Sequence, residues 1–265
     1  MRYLVLSEAS GLTFLHVNDS VITPWVIADG HFQRDDFEIA WKECQRLAPR
    51  PPKGVFVDVG ANVGTTTLYA LRTGDFGRAV CMEPSPENLD ILRFNIDSNN
   101  LSDIASIIPA ACSDTDGSAD LWLTSGNQGD HRLARQESAP DTHEQVMQVE
   151  TMTLDTALAS VKVEPADVSM VWIDTQGHEP GVLAGAIGLI AGGAPFLIEF
   201  WPSQYAEVGN LDSIVLLIQT HFASFIDLHH PEYGVRPIAM IDELVAELSG
   251  PTDQTDIILL PAAGH

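Results

Sequence analysis

The run Val55-Phe56-Val57-Asp58-Val59-Gly60-Ala61-Asn62-Val63-Gly64-Thr65-Thr66-Thr67 constrains this chain more than any other stretch. A β-branched, apolar segment carrying an acid passes through a glycine-spaced turn into the helix-forming residues Leu68-Tyr69-Ala70-Leu71-Arg72. Strand, tight turn and helix in that order open a doubly wound nucleotide-binding fold. A dinucleotide fingerprint reads G-x-G-x-x-G, because its second glycine lets backbone amides approach a pyrophosphate. Here the corresponding residues are Gly60, Asn62 and Thr65, so the pattern fails twice. Asp58, at the strand's carboxyl end, repels a phosphate and attracts a cation. S-adenosylmethionine has an ammonium, a sulfonium and no phosphate, and it fits this turn.

A second acid agrees. Arg78-Ala79-Val80-Cys81-Met82-Glu83 reads as the next strand, ending in Glu83 before Pro84. A carboxylate there can accept the ribose hydroxyls, the role of an acid about 20 residues past the glycines. Asp58 and Glu83 can also be read as a strand terminator and a helix cap. The glycine turn between them favours a ligand.

Composition sets the outer bounds. A chain of 265 residues with 45% hydrophobic and 19% charged residues has the make-up of one sizeable α/β domain. Its 37 acids against 13 Lys and Arg give a formal net charge of −24. Such a surface repels a phosphate backbone and anionic membranes, so nucleic acid and membrane are not expected partners. Acidity alone also serves solubility. Cys44, Cys81 and Cys112 are widely spaced in apolar surroundings, which points to reduced, buried thiols and a cytoplasmic location. The start, Met1-Arg2-Tyr3-Leu4-Val5-Leu6-Ser7-Glu8, acidifies too early for a signal peptide, and no run approaches a membrane span.

Residues 1–53 read as an N-terminal segment that covers the substrate side. They hold strand-like pieces at 3–6 and 13–17, a helical pattern from about 35 to 47, and a stiff break at Pro49-Arg50-Pro51-Pro52. Residues 54–265 read as the catalytic domain. Strands are expected at 55–59, 79–83, 105–109, 170–174, 196–200, 224–228 and 256–260. Helices are expected at 65–72, 86–99, 180–190, 211–221 and near 241–248, with strand-like pieces at 119–124 and 145–150 between them. Alternating strands and helices imply a mostly parallel sheet of seven strands covered on both faces. The last strand pair, joined by a short helix, is read as an antiparallel insertion at the edge. Ligands in such sheets sit at the carboxyl ends of the strands, which here carry Asp58, Glu83, Ser113, Asp114, Asp174, Glu199 and the His229-His230 pair.

Three segments together resemble the FkbM-type S-adenosylmethionine-dependent methyltransferases: DVGANVGTTT, AACSDTDGSADLWL (110–123) and VWIDTQGHEPGVLAGA (171–186). The resemblance spans roughly residues 54 to 200. It implies a class I methyltransferase fold, a Rossmann-like three-layer sandwich, and methylation of a hydroxyl on a sugar or secondary metabolite. Asp58, Gly60, Asn62, Gly64 and Glu83 match the family's cofactor positions, and Ser113-Asp114 falls where adenine is held. One departure is Gln176, which stands where the family carries an acid in a D-x-E-G-H-E pattern.

Methyl transfer is an in-line displacement that depends on aligning the nucleophile and, for a hydroxyl, removing its proton. Asp174 and His178 around the Gly177 bend are candidate catalytic groups, since an unperturbed imidazole titrates near neutrality. Glu179, next to Pro180, reads equally as a cap of the following helix. The loop Gly126-Asn127-Gln128-Gly129-Asp130-His131-Arg132-Leu133-Ala134-Arg135 adds His131 as a third catalytic candidate and Arg132 as a substrate anchor. A solvated glycine-rich loop is the plainer reading. Glu199 and Trp201 are further substrate candidates. Glu199 can also join Asp174 and a histidine around a divalent cation, although no close-spaced motif such as H-E-x-x-H accompanies them. The reading is therefore an O-methyltransferase of a small hydroxylated molecule. The rivals are an N- or C-methyltransferase and a non-catalytic cofactor-binding module. A nicotinamide oxidoreductase is argued against by Asn62 and Thr65.

Overall fold

The computed structural model describes residues 3–8, 11–124, 126–133 and 143–262. The chain opens with a hairpin, β1 (Tyr3–Glu8) and β2 (Gly11–His16), and two helices, α1 (Ile22–Asp29) and α2 (Arg34–Leu47). The core then runs β3 (Val55–Val59), α3 (Thr65–Thr73), β4 (Arg78–Met82), α4 (Pro86–Ser98) and β5 (Ala105–Ile108). An excursion follows through β6 (Ala111–Cys112), β7 (Gly117–Thr124), β8 (Arg132–Leu133) and β9 (His143–Met152). The second half contains α5 (Leu154–Ser160), β10 (Val168–Ile173), α6 (Glu179–Ala184), α7 (Ile187–Ala191), β11 (Phe196–Phe200) and α8 (Pro202–Glu207). It closes with α9 (Leu211–His221), β12 (Ser224–Asp227), β13 (Arg236–Pro237), α10 (Ile241–Glu247) and β14 (Thr255–Leu260).

The main sheet has the order β13-β12-β14-β11-β10-β3-β4-β5. From β5 to β11 every pairing is parallel, whereas β14 runs antiparallel to both β11 and β12. Seven expected strands are present, and the two-residue β13 makes an eighth at the edge. The last pair, β12 and β14, runs antiparallel at this end of the sheet as expected, but within it β14 is the inner strand, between β11 and β12. All but one residue of Thr255–Leu260 is buried, so β14 requires neighbours on both sides and lies inside the sheet.

Alternation along the strands builds two cores. Val55, Val57 and Val59 face the layer of α5, α6, α7, α9 and α10, while Phe56 faces α2, α3 and α4. Met170 and Trp172 of β10 join Phe56 and Phe37 on the second side. Asp58 lies on that same face, and Thr67 of α3 meets it there.

The expected helix 180–190 is two helices. Gly185 passes so close to the Ser113 carbonyl that a Cβ would stand 2.1 Å from it. The Asp155 carboxylate then accepts the amides of Gly188 (2.7 Å) and Leu189 (2.8 Å), capping α7 as a new start. The strand-like middle of the chain is a separate four-stranded sheet, β6-β9-β7-β8, beside the carboxyl ends of the main strands.

The hairpin β1–β2 is held to α4 by side-chain amides. Asn95 accepts the Phe14 amide (2.6 Å) and donates to the carbonyls of Phe14 (3.0 Å) and Val63 (2.6 Å). Asn99 accepts the Leu12 amide (2.9 Å) and donates to the Leu12 carbonyl (2.7 Å). Asn88 completes the row by bonding His16 Nε2 (2.9 Å). These asparagines lie on one face of α4 and stand in for a neighbouring strand along β2. Asn95 is fully buried, so Asn95→Ala leaves backbone groups without partners. We expect a loss of about 3 kcal/mol of stability, read from urea unfolding; an unchanged midpoint contradicts the ladder's role.

Candidate functional site

Strand order reverses between β3 and β10, and ligand clefts open at that switch point. The backbone there is tightly folded. Gly60 has φ +84°, and a Cβ on it would stand 1.9 Å from the Asp174 carbonyl oxygen. Asn62, at φ +50°, adopts the left-handed conformation that asparagine tolerates better than most residues. Gly64 ends the turn at φ +84° and places α3's first residues, Thr65 and Thr66, at the cleft.

Two chambers meet at this turn. The first, about 510 Å³, is lined by Glu83, Pro84, Ala111, Cys112, His131 and His178 among others. The second, about 620 Å³, is lined by Asp58, Thr65, Thr66, Trp172, Phe32 and Gln33 among others. Gly60, Asn62, Gly129, Asp174 and Gln176 belong to both. Val21, Ile22, Phe32 and Gln33 of the N-terminal segment wall the second chamber, while α2 packs into the main core through Phe37, Ala40 and Cys44.

Every buried acid here is tied down. Glu83 accepts the amides of Asn62 (3.0 Å) and Ser85 (2.8 Å) and the Asn88 side chain (3.3 Å). Burial pushes its carboxyl up to about 7 against these bonds. Thr67 Oγ1 donates to Asp58 Oδ2 (2.5 Å), and burial raises Asp58 to about 6. Asp174 accepts the Gln176 side-chain amide (2.7 Å); burial first, then the charges of Glu179, Asp256 and Asp58, raise it to about 7. Glu179 is fully buried at the start of α6, where its Oε1 accepts the Thr175 amide (2.8 Å), the Thr175 hydroxyl (2.9 Å) and the Gly177 amide (3.3 Å). Its other oxygen, Oε2, meets no hydrogen-bond partner within bonding geometry among the described residues, with Tyr205 the neighbouring hydroxyl.

The histidines are engaged. His131 Nδ1 accepts the Thr124 amide (3.2 Å), which puts the ring proton on Nε2, facing Gln128 Oε1 (3.2 Å). His178 Nε2 bonds the Ser113 hydroxyl (3.0 Å), whose own neighbour is Asp114 Oδ1 (3.1 Å). Ser113 and Asp114 lie behind the wall of the first chamber, and Asp114 is exposed. The loop 126–131 closes over both chambers because the Gln128 carbonyl accepts from Asn62 Nδ2 and Asn88 Nδ2, each at 3.1 Å. Sequence reading missed this strap; its glycines mark a loop but carry no sign of which elements it joins.

The substrate candidates form a third group beyond Asp174. Arg132 pairs with Asp130 (2.7 Å), donates to Gln204 (3.0 Å) and lies over the Trp201 ring (5.6 Å). Glu199 is raised to about 10 by burial and by the charges of Asp174, Glu179 and Asp256, with Arg132 opposing. These three residues are not part of either chamber's lining. Arg135 falls outside the described residues. Among the described residues no group of three His, Cys, Asp or Glu can hold a metal ion, so Asp174 and Glu199 do not converge with a histidine. The three cysteines are free and buried. No helix among the described residues is long and apolar enough to cross a membrane.

Strand order, the reversed β14 and the acid-flanked turn at the switch point define a class I methyltransferase fold. A family model described as Methyltransferase FkbM domain matches residues 58–233, and the chain belongs to that family. It is similar to the 2-O-methyltransferase NoeI of Sinorhizobium fredii (strain NBRC 101917 / NGR234), with 29% identity over 142 residues, covering 51% of this chain and 58% of that protein. It is also similar to Methyltransferase 1 of Beauveria bassiana (strain ARSEF 2860), with 26% identity over 166 residues, covering 56% and 64%. The chain thus spans less than two thirds of the length of both relatives. Among solved structures it is similar to a Methyltransferase FkbM from Methylobacillus flagellatus KT, at 14% identity and a TM-score of 0.48, covering 78% of this chain and 43% of that one.

The raised carboxyls have a measurable consequence. Glu83 binds its proton more tightly folded than unfolded, so its contribution favours the native state at low pH and is lost as pH rises toward 7. Glu83→Gln removes that slope. We expect the stability difference between variant and wild type to shift in the variant's favour by on the order of 1 kcal/mol per pH unit between about pH 5 and 7. Urea unfolding across that range checks it, and parallel profiles contradict it.

Proposed function

We propose that this chain binds S-adenosylmethionine across the two chambers and transfers its methyl group to a hydroxyl of a small molecule. The observation that carries this reading is the pair of buried carboxylates, Asp58 and Glu83, at neighbouring strand ends on either side of the Gly60–Gly64 turn. The residues present suit that cofactor. Asn62 Oδ1, buried and without a partner among the described residues, can accept from an ammonium or hydroxyl. Glu83 accepts three donors of the roughly four that a carboxylate takes, which leaves capacity for a ribose hydroxyl. The amides at the start of α3 suit a carboxylate. When bound, S-adenosylmethionine supplies an electrophilic methyl group on a cationic sulfur.

The chain's own part is to orient, to exclude water and to accept a proton. Asp174 borders both chambers, so a hydroxyl in the second chamber can lie near it. Its Oδ1 is engaged by Gln176, which makes Oδ2 the atom that takes the hydroxyl proton. A carboxyl held near 7 is better matched to that task than an ordinary aspartate. His131 and His178 then serve as chamber walls, held by Thr124, Gln128 and Ser113. A hydroxyl acceptor is supported by the likeness to a relative named as a 2-O-methyltransferase.

Two variants test the reading. Glu83→Ala is expected to weaken adenosylhomocysteine binding by about 10- to 100-fold by calorimetry, the worth of a charge-assisted hydrogen bond. Asp174→Asn is expected to lower kcat by about 100-fold with an unchanged affinity for adenosylhomocysteine, in line with loss of a general base. Absence of adenosylhomocysteine binding to the wild-type chain ends the proposal.

A further inference from the structure

Gln176 has a conformation and a contact that a plain turn residue does not need. Its φ is +53°, in the left-handed region that glycine and asparagine occupy most readily. Neither of those could do what this side chain does. Gln176 reaches back two residues, and its Nε2 donates to Asp174 Oδ1 at 2.7 Å. The backbone around it is locked from other directions. The amides of Thr175 and Gly177 donate to Glu179 Oε1, the Asp174 amide donates to the Val59 carbonyl (3.0 Å), and the His178 amide donates to the Thr175 carbonyl (3.3 Å). Gly177 leaves no room for a Cβ, which would stand 2.6 Å from Gln204 Cγ. The turn is therefore held without the Gln176 side chain, whose bond is spent on Asp174.

The surroundings of Asp174 say why a donor is placed there. Asp58 approaches from β3, Glu179 from α6, Glu199 from β11 and Asp256 from β14. Glu199 stands one residue past the β10–β11 register pair Ile173↔Ile198, beside Asp174, and opposite Asp256 on β14. The Arg132 guanidinium bears on Glu199 and is paired with Asp130. Asp174 is thus surrounded by other acids, and the Gln176 amide is a neutral donor aimed at it. Both residues line both chambers.

We propose that Gln176 is a positioning residue: its amide fixes the rotamer of the Asp174 carboxylate and favours the ionised form in which that group can accept a proton. This rests on the reading of Asp174 as the base. The placement itself can be tested without any turnover. An acid at position 176 would set a second carboxylate against Asp174 and have the opposite effect, so the glutamine is not interchangeable with glutamate here.

The test compares wild type with Gln176→Met, which keeps the length and removes the donor, and Gln176→Glu. Carboxyl 13C labelling of aspartate gives the Asp174 titration directly, its signal identified by loss in Asp174→Asn. The midpoint is expected to rise by about one pH unit in Gln176→Met, since a hydrogen bond to the charged form is lost. In Gln176→Glu the two acids titrate as a coupled pair with a higher upper midpoint. Adenosylhomocysteine affinity at pH 8.5, by calorimetry, reports that each variant keeps its fold. The acid limb of the kcat–pH profile is expected to move with the midpoint, with activity recovering at high pH. An unmoved midpoint in both variants, or a kcat loss equal at all pH values, overturns the proposal while leaving cofactor binding intact. A moved midpoint in a chain that methylates nothing sustains the placement and sinks the function instead.

Discussion

The structure turns on the removal of carboxylates from water around one backbone turn. Asp58, Glu83 and Asp174 are brought together by three strand ends at the switch point, and the close approach of Gly60 to the Asp174 carbonyl is what joins them. Isolated buried charges are costly, so each acid is either hydrogen-bonded or pushed toward protonation. Thr67, the amides of Asn62 and Ser85, and the side chains of Asn88 and Gln176 are the donors used. The cleft is therefore lined by carboxyls that burial raises and hydrogen bonds hold in place.

Closure of the cleft depends on amides rather than charges. Asn88 bonds Glu83, the strap carbonyl of Gln128 and His16 of the hairpin, so one residue of α4 connects the acid after β4, the strap and the N-terminal segment. Asn95 joins β2 to the Val63 carbonyl within the glycine turn. Asp19 and Ser20 hold the strap from the far side through the Gln128 amide and the Gly126 carbonyl. The first residues of the chain are thereby coupled to the turn that shapes the site. Neutral amides suit this task in a protein of net charge −24, because they can both donate and accept without adding to its repulsion.

Much of the sheet was legible in the sequence because its strands are buried on both faces and read as continuous apolar runs between turn signals. Asp58 and Glu83 were legible because strand–turn–helix spacing puts them at strand ends. Three helices, α1, α5 and α8, were not. Pro24 and Pro202 sit in the first turns of α1 and α8, where a missing amide proton costs nothing. For α5 the signal existed: Thr153 caps it, accepting the Thr156 amide at 3.1 Å. The place of β14 inside the sheet was hidden because strand order is a tertiary property that local periodicity does not encode. The engagement of His131 by the Thr124 amide is set by how the loop bends back after β7, which residue spacing alone does not encode. Gln176 stood out in the sequence only as a departure from the family pattern; its bond to Asp174 gives that departure a physical content.

The row Asp174, Glu199 and Asp256 shows why a neutral donor matters. These acids lie side by side across three neighbouring strands, an arrangement that like charges disfavour. They cannot all be ionised at once. His229 pairs with Asp256 at 3.6 Å from the outer end, and Glu199, raised to about 10, holds its proton at neutral pH. With His229 paired to one end of the row and burial holding the middle well above the usual carboxylate range, Gln176 is the donor that opposes the rise at Asp174. The inner acid, nearest the cleft, is then the member of the row able to gain and lose a proton near neutrality, and the outer two set the field in which it does so.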